Sequence, residues 1–293
     1  MNSMATNPSA ALDFALHVER CYAGLILADG HGPDAEPSLG GKLLYAGPLD
    51  AQASALLVAA NIAGAASLAV STEAATGKQA IRDGVVDFLV TSLDEALRIL
   101  KNEIRKRTTV AVCVALEHHV PEADFARQLL QRGVLPDLLP PHSAQSPEFA
   151  AFLHQGARPV TAIHPDVNQV LLTWNVAEAP AQWLPKLDAL AMDCLIENMG
   201  APGPGSPRTG LRPWGGDPSH LGTWDSARRW LRLAPRYLGR RSQGLLRCDE
   251  STAARFRKKV QEQVEGGEIS VAVEIQTRSG EQFQRSEFAP LTR

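Results

Sequence analysis

The stretch 40–94, GGKLLYAGPLDAQASALLVAANIAGAASLAVSTEAATGKQAIRDGVVDFLVTSLD, constrains this chain more than any other. Short apolar runs at 43–46, 67–70 and 86–90 alternate with longer segments of helical composition, above all the Ala- and Leu-rich 51–64, which closes on a glycine. Short buried strands alternating with helices imply a parallel sheet wound by helices, because parallel neighbours need a crossover between them. In such sheets the first strand-to-helix turn lies at the carboxyl edge of the strands, where nucleotides bind. Here that turn reads Gly47-Pro48-Leu49-Asp50. It holds one glycine where a dinucleotide fingerprint uses several to let the backbone approach a pyrophosphate. Asp50 suits the dipole of the following helix but repels a phosphate.

The α/β alternation continues downstream. Ser92, with Glu95 three residues on, predicts a capping box. Leu93, Ala96, Leu97, Leu100 and Ile104 then mark one helix face. The run 109–116 is almost wholly apolar, as a strand buried on both faces should be. A helix from Pro121 to Gly133, a strand at 135–139 and a helix at 149–153 follow, with further strands expected at 160–163 and 170–174 and a helix at 183–199. Residues 200–216 carry six Gly and four Pro and read as a linker. Beyond it, Asp225 is placed to cap a helix, 245–246 form a strand, and 251–264 form a basic amphipathic helix. Residues 269–277 alternate as a strand with one wet face, and 283–288 return antiparallel at the sheet edge. The reading thus divides the chain into a partly disordered extension (1–38), whose apolar stretch 12–28 is expected to add a helix or strand to the core, a doubly wound α/β domain (39–199), the linker (200–216) and a C-terminal αβ segment (217–293) completing the same sheet.

With only 5% aromatic residues, the core has to be built mainly from Ala, Leu and Val. No apolar span is long enough to cross a membrane, and the start lacks a basic region followed by a long apolar one. Cys21, Cys113, Cys194 and Cys248 share no metal-ligand spacing and read as reduced thiols of a cytoplasmic protein, Cys113 as a core residue. His118 and His119 point to opposite faces if extended, so they do not form a natural metal pair. The net charge of −3 conceals a contrast: residues 208–259 carry 13 basic and 4 acidic side chains, while the chain before them is acidic. That segment suits either an anionic partner or a solvated helix face. No base-reading motif or aromatic platform points to nucleic acid.

The residues GGKLLYAG, AGAASLAV, IRDGVVD and TSLDEAL, in this order and spacing, resemble the NAD-binding domain of the urocanase (urocanate hydratase) family. The likeness continues through LLQRGVLPDLL and returns in WGGDPSHLGTWD, RRWLRL and FRKKVQEQVEGGEIS. The resemblance implies a Rossmann-like fold, NAD as cofactor, homodimers, and a reaction in which NAD⁺ acts as an electrophile toward the imidazole of urocanate. Carried onto this chain, it assigns cofactor binding to Gly47, Asp50, Gln52 and Ser54 around the first turn, to Ser71 and Glu73 after the second strand, and to Ser143. Ser71 stands in register with the acid that would bond the ribose; Glu73, two residues on, falls on the same face. His142 and Asp217 are the candidates for proton transfer.

The chain departs from the family where chemistry is concentrated. The glycine-rich turn is eroded, the acids around His142 are replaced in PPHSAQSP, and the cysteine-bearing segment near 211–218 is absent. The expectation is therefore a urocanase-like scaffold that binds a small ligand or acts through contacts and lacks hydratase activity. The alternatives are an active NAD-dependent hydro-lyase and a scaffold engaging an anionic partner through its basic part.

Overall fold

The computed structural model describes residues 8–29, 38–116, 122–145, 147–163, 169–198, 224–238, 243–279 and 282–290. They fall into two compact units, Met1–His31 with Pro37–Ile163 and Gly32–Glu36 with His164–Arg293. The first runs α1 (Pro8–Asp29), β1 (Leu43–Pro48), α2 (Ala51–Ala63), β2 (Ala66–Ser71), α3 (Ala74–Arg82), β3 (Phe88–Val90), α4 (Leu93–Lys106) and β4 (Val110–Ala115). It continues with α5 (Glu122–Gln131), β5 (Leu138–Leu139), α6 (Pro141–Ala144), a 3-10 turn at Pro147–Phe149, α7 (Ala150–His154) and β6 (Arg158–Pro159).

These strands form one six-stranded sheet in the order β3-β4-β2-β1-β5-β6, and every described pair is parallel. The chain moves from β1 toward β2 and the β3 edge, then crosses back after β4 to place β5 on the other flank of β1. Right-handed crossovers put helices formed on the outward and return journeys on opposite faces. On one face Leu43, Tyr45, Leu68 and Val112 pack with α4, α5 and residues 149–157. There the Tyr45 ring stacks on Phe125 at 5.7 Å and on Phe149 at 5.4 Å. On the other face α1 packs along α2, whose side chains from Ala55 to Ala63 are all buried. Small residues let that helix approach closely, which is how a chain so poor in aromatics fills its interior.

Local signals set the element ends. Ser92 accepts from the Glu95 N–H at 3.2 Å, the cap expected from the sequence. Gly64 closes α2 at φ +96°, a conformation that disfavours residues with a Cβ. At the amino edge the Asp137 carboxylate accepts from the Leu43 N–H at 2.8 Å and from Lys42 Nζ at 3.2 Å, tying β1 to β5.

Two expectations for this unit need correction. The domain does not begin at 39: the apolar stretch 12–28 adds a helix to its core as its pattern suggested, and α1 buries Leu16, Val18, Cys21, Tyr22 and Leu25. Gly24 lies so close to the chain after β6 that a Cβ there would sit 2.1 Å from the Thr161 carbonyl oxygen. The last strand is 158–159 rather than 160–163, because the ladder to β5 ends where Val160 N–H reaches the Leu139 carbonyl.

The second unit contains β7 (Gln169–Val176), α8 (Pro180–Asn198), α9 (Trp224–Tyr237), β8 (Gln243–Asp249), α10 (Glu250–Glu265), β9 (Val273–Ser279) and β10 (Gln282–Phe288). Its strands make a separate antiparallel sheet in the order β10-β9-β7-β8. The C-terminal segment therefore does not complete the first sheet, and the unit boundary falls after Ile163 rather than at 199. β7 is held by antiparallel ladders on both sides, to β8 and β9, and these define the second sheet around it. Trp174 anchors it: fully buried, its indole packs at 5.1 Å from Phe256 and donates to Asp188 at 3.1 Å. Gly244 leaves room for that ring, since a Cβ there would lie 2.0 Å from it. β9 begins at 273, not 269, because Glu268 and Ile269 still donate to the Gln263 carbonyl as the end of α10.

Candidate ligand-binding site

Strand order locates the site. β1 is flanked by β2 on one side and β5 on the other, and the chain reverses its winding between them. Ligands of open α/β sheets bind outside the carboxyl ends of the strands at such a reversal. Of the segments that leave the carboxyl edge, those nearest this reversal are the β1–α2 turn, the β2–α3 turn, and α6 after β5. Between them they carry Gly47, Asp50, Gln52, Ser54, Ser71, Glu73, His142 and Ser143, so most of the residues named from the sequence come to one edge. Asp217, Glu117–His119 and the Gly/Pro stretch 200–216 lie outside the described residues.

Gly47 serves the strand rather than a ligand. Tyr45 pairs with Leu68 and Gly47 with Ala69, so Ala46 is an extra residue, and the backbone turns at Gly47 with φ +83°. This bulge redirects the chain into the turn.

Asp50 decides what the turn can hold. Its Oδ1 accepts from the Ala53 N–H at 2.7 Å, and its carbonyl accepts from Ser54 Oγ at 2.6 Å. The anion at the N-terminus of α2 is thus the protein's own carboxylate, stabilised by the helix dipole. Ser54 is committed to the same cap, and Gln52 is exposed on the first turn. A pyrophosphate brought to this position meets a negative charge and finds one of the first-turn N–H groups already taken. The pyrophosphate half of NAD does not fit the turn as it stands.

After β2, buried Ser71 donates to the Glu73 carbonyl at 2.9 Å and accepts from the Glu73 N–H at 3.2 Å, a closed local turn. The Glu73 side chain is exposed and accepts from Thr76 Oγ1 at 3.2 Å. After β5, His142 is exposed and Ser143 fully buried.

One nearby residue was missed in the sequence. Ile163 N–H donates to the Arg20 carbonyl at 3.0 Å and Arg158 Nη1 to the Ala28 carbonyl at 2.9 Å. These bonds orient α1 so that its N-terminal half reaches the carboxyl edge. There half-buried His17 feels both Arg20 and Asp50; burial and then the Arg20 charge lower its pKa, and Asp50 opposes them. The only signal in the sequence was a histidine on an apolar helix, which by itself says nothing of a site.

Other candidate chemistry is absent among the described residues. No group of three His, Cys, Asp or Glu could hold a metal, and no helix is long and apolar enough to cross a membrane. All four thiols are buried, and burial pushes Cys21 and Cys113 up to about 12, out of the range of reactive thiolates.

The strand order, the crossovers and the ligand edge define a Rossmann-like α/β domain. Residues 28–156 match the family model of the urocanase Rossmann-like domain. The match begins at the end of α1 and stops before β6, so it takes in β1 to α7 of the first unit and none of the four-stranded sheet.

Proposed function

We propose that the first unit is a urocanase-type scaffold that binds a small molecule at the carboxyl edge of β1 and β5 and does not hydrate urocanate. The carrying observation is the Asp50 carboxylate on the first turn of α2. It favours a ligand that is neutral or cationic at that point, with Glu73, His142 and His17 as the other groups of this edge that can accept or donate protons. The basic segment supports an anionic partner less well. On α10, Arg257 pairs with Glu250 at 2.7 Å and Lys259 with Glu197 at 2.6 Å, which spends those cations within the unit.

The test is the thermal midpoint with and without NAD⁺, NADH, NADP⁺ and urocanate, together with an assay for urocanate hydration. A ligand a hundredfold above its Kd adds about 2.7 kcal/mol of stability. The expected result is no shift with the dinucleotides and no hydration by the wild-type chain. A clear shift with NAD⁺, or measurable turnover, would overturn the reading. The alternative, an active NAD-dependent hydro-lyase, draws support from Glu73, which stands just beyond β2 where a ribose-binding acid belongs. It requires that Glu73→Ala weaken NAD binding.

A further inference from the structure

We propose that the outward face of α9 docks an acidic helix of a partner protein. α9 turns Ala227, Trp230, Leu231 and Ala234 inward, where all four are buried, and Trp230 Nε1 donates to the Leu245 carbonyl of β8 at 2.7 Å. These contacts fix which side of the helix faces water. Arg228, Arg232 and Arg236 follow one another at four-residue spacing on the opposite side, and all three are exposed. Four residues advance a helix by about 6 Å, so the row runs about 12 Å along the axis. The surface belongs to the second unit and stands whether or not the ligand edge of the first unit binds anything.

α10 is the contrast within the same unit, since Arg257 and Lys259 are bound there to Glu250 and Glu197. Arg232 and Arg236 have no carboxylate partner among the described residues. The Arg236 guanidinium lies 5.7 Å from the centroid of the Tyr237 ring, a contact that occupies none of its N–H groups. The surrounding sequence accumulates the same charge: residues 206–242 hold eight Arg, no Lys and two Asp, so cations far outnumber the carboxylates that could neutralise them.

The chemistry selects the partner. A guanidinium presents a planar fork that binds a carboxylate or phosphate through two parallel hydrogen bonds, so the ligand is an anion. The apolar side of α9 is already buried within the unit and is not available to enter a membrane. An extended polyanion such as nucleic acid is disfavoured, because the whole chain carries a net charge of −3 and no described aromatic side chain of α9 is exposed for bases to stack on. A helix with carboxylates at the same four-residue spacing matches the row one for one. Each exposed pair contributes modestly and is screened by salt, so the complex is weak and dependent on ionic strength.

The probe is a synthetic alanine-based peptide with Glu at three successive i, i+4 positions, followed by fluorescence anisotropy against the full chain, with its Gln counterpart as reference. The Glu peptide should bind, the Gln peptide should not, and affinity should fall as salt rises. Arg232→Gln together with Arg236→Gln should weaken binding by about fivefold. Arg232→Glu together with Arg236→Glu should abolish it and confer binding of the corresponding Lys peptide, a gain that a misfolded variant would not show. Lys258→Gln on α10, 76% exposed and outside the row, should leave affinity unchanged. An equal loss in Lys258→Gln would make the attraction diffuse and overturn the proposal. So would no binding up to millimolar peptide, binding indifferent to salt, or tighter binding of a single-stranded oligonucleotide or of phosphatidylserine vesicles than of the Glu peptide.

Discussion

The two sheets of this chain are stabilised by different means. The six-stranded sheet is parallel, and its central strands β1, β2 and β4 are buried almost throughout. Its order follows from crossovers, and its core joins many aliphatic side chains to the stacked rings of Tyr45, Phe125 and Phe149 on one face. The four-stranded sheet is antiparallel, and β9 alternates buried Val273, Ile275 and Thr277 with more exposed Glu274, Gln276 and Arg278. Its core depends on one large ring seated over a glycine. A core spread over several helices and rings tolerates a local loss better than one centred on a single ring over a glycine.

Trp174→Ala tests this most severely. Removing a fully buried indole from a packed core costs about 3–5 kcal/mol. The expected outcome is loss of amide protection throughout β7–β10 while β1, β2 and β4 keep theirs, measured by hydrogen exchange. Equal loss in both sheets would mean that they unfold as one cooperative body, and the contrast drawn above would fail.

The counterpart in the parallel sheet is Asp137→Ala. It removes the carboxylate that accepts from the Leu43 N–H and Lys42. Losing a charge-assisted bond to a backbone donor costs about 1.5–3 kcal/mol. Urea unfolding followed by amide protection in β1 and β5 would measure it. The expected effect is smaller than that of Trp174→Ala and confined to the first unit.

The same contrast explains what could be read from the sequence. Continuous apolar runs such as VAVCVA, separated by capped helices, state both strand and direction, because a parallel strand pair leaves little choice of connection. The Ser92 cap, the Gly64 stop and the strand cores at 43–46, 67–70 and 110–115 were all legible for that reason. Strands 170–174 and 283–288 were legible as strands, and so was the antiparallel return of 283–288 on the strand before it, but the partners of 170–174 were not. Antiparallel pairing of β7 with β8 joins residues separated by two helices and a Gly/Pro stretch, and no local pattern encodes it. The candidate edge was legible in part. Asp50, Glu73 and His142 fall at strand ends that periodicity can place. That Asp50 is consumed in a cap, Gly47 in a bulge and Ser71 in a turn of its own are facts of hydrogen bonding, visible only with coordinates. His17 was hidden because its relevance depends on how α1 docks.

Asp50→Ala sharpens the contrast between fold and site within the first unit. Loss of an N-cap destabilises by about 0.5–2 kcal/mol. It also frees the Ala53 N–H and removes the charge that repels phosphate. The variant should melt earlier than wild type yet gain a thermal shift with NAD⁺ or inorganic phosphate. Earlier melting with no gained shift would show that the cap is structural and that the scaffold rejects phosphate for another reason.

The smallest expected effect is the pH dependence contributed by His17. Burial and Arg20 lower its pKa in the folded chain, so the unfolded chain binds that proton at higher pH than the folded one. Between the two values the unfolded state carries more protons, and stability rises with pH. The contribution is fully present above the ordinary imidazole value of about 6.5 and is lost as pH falls through the lower folded value. His17→Gln should flatten this part of the stability–pH curve, measured by urea unfolding at a series of pH values. Asp50 acts in the opposite sense, raising the His17 pKa, so Asp50→Ala should steepen the same part of the curve. A slope unchanged in His17→Gln would place the titration on another group. A slope that flattens in His17→Gln but does not respond to Asp50→Ala would separate His17 from the capped turn and remove it from the candidate site.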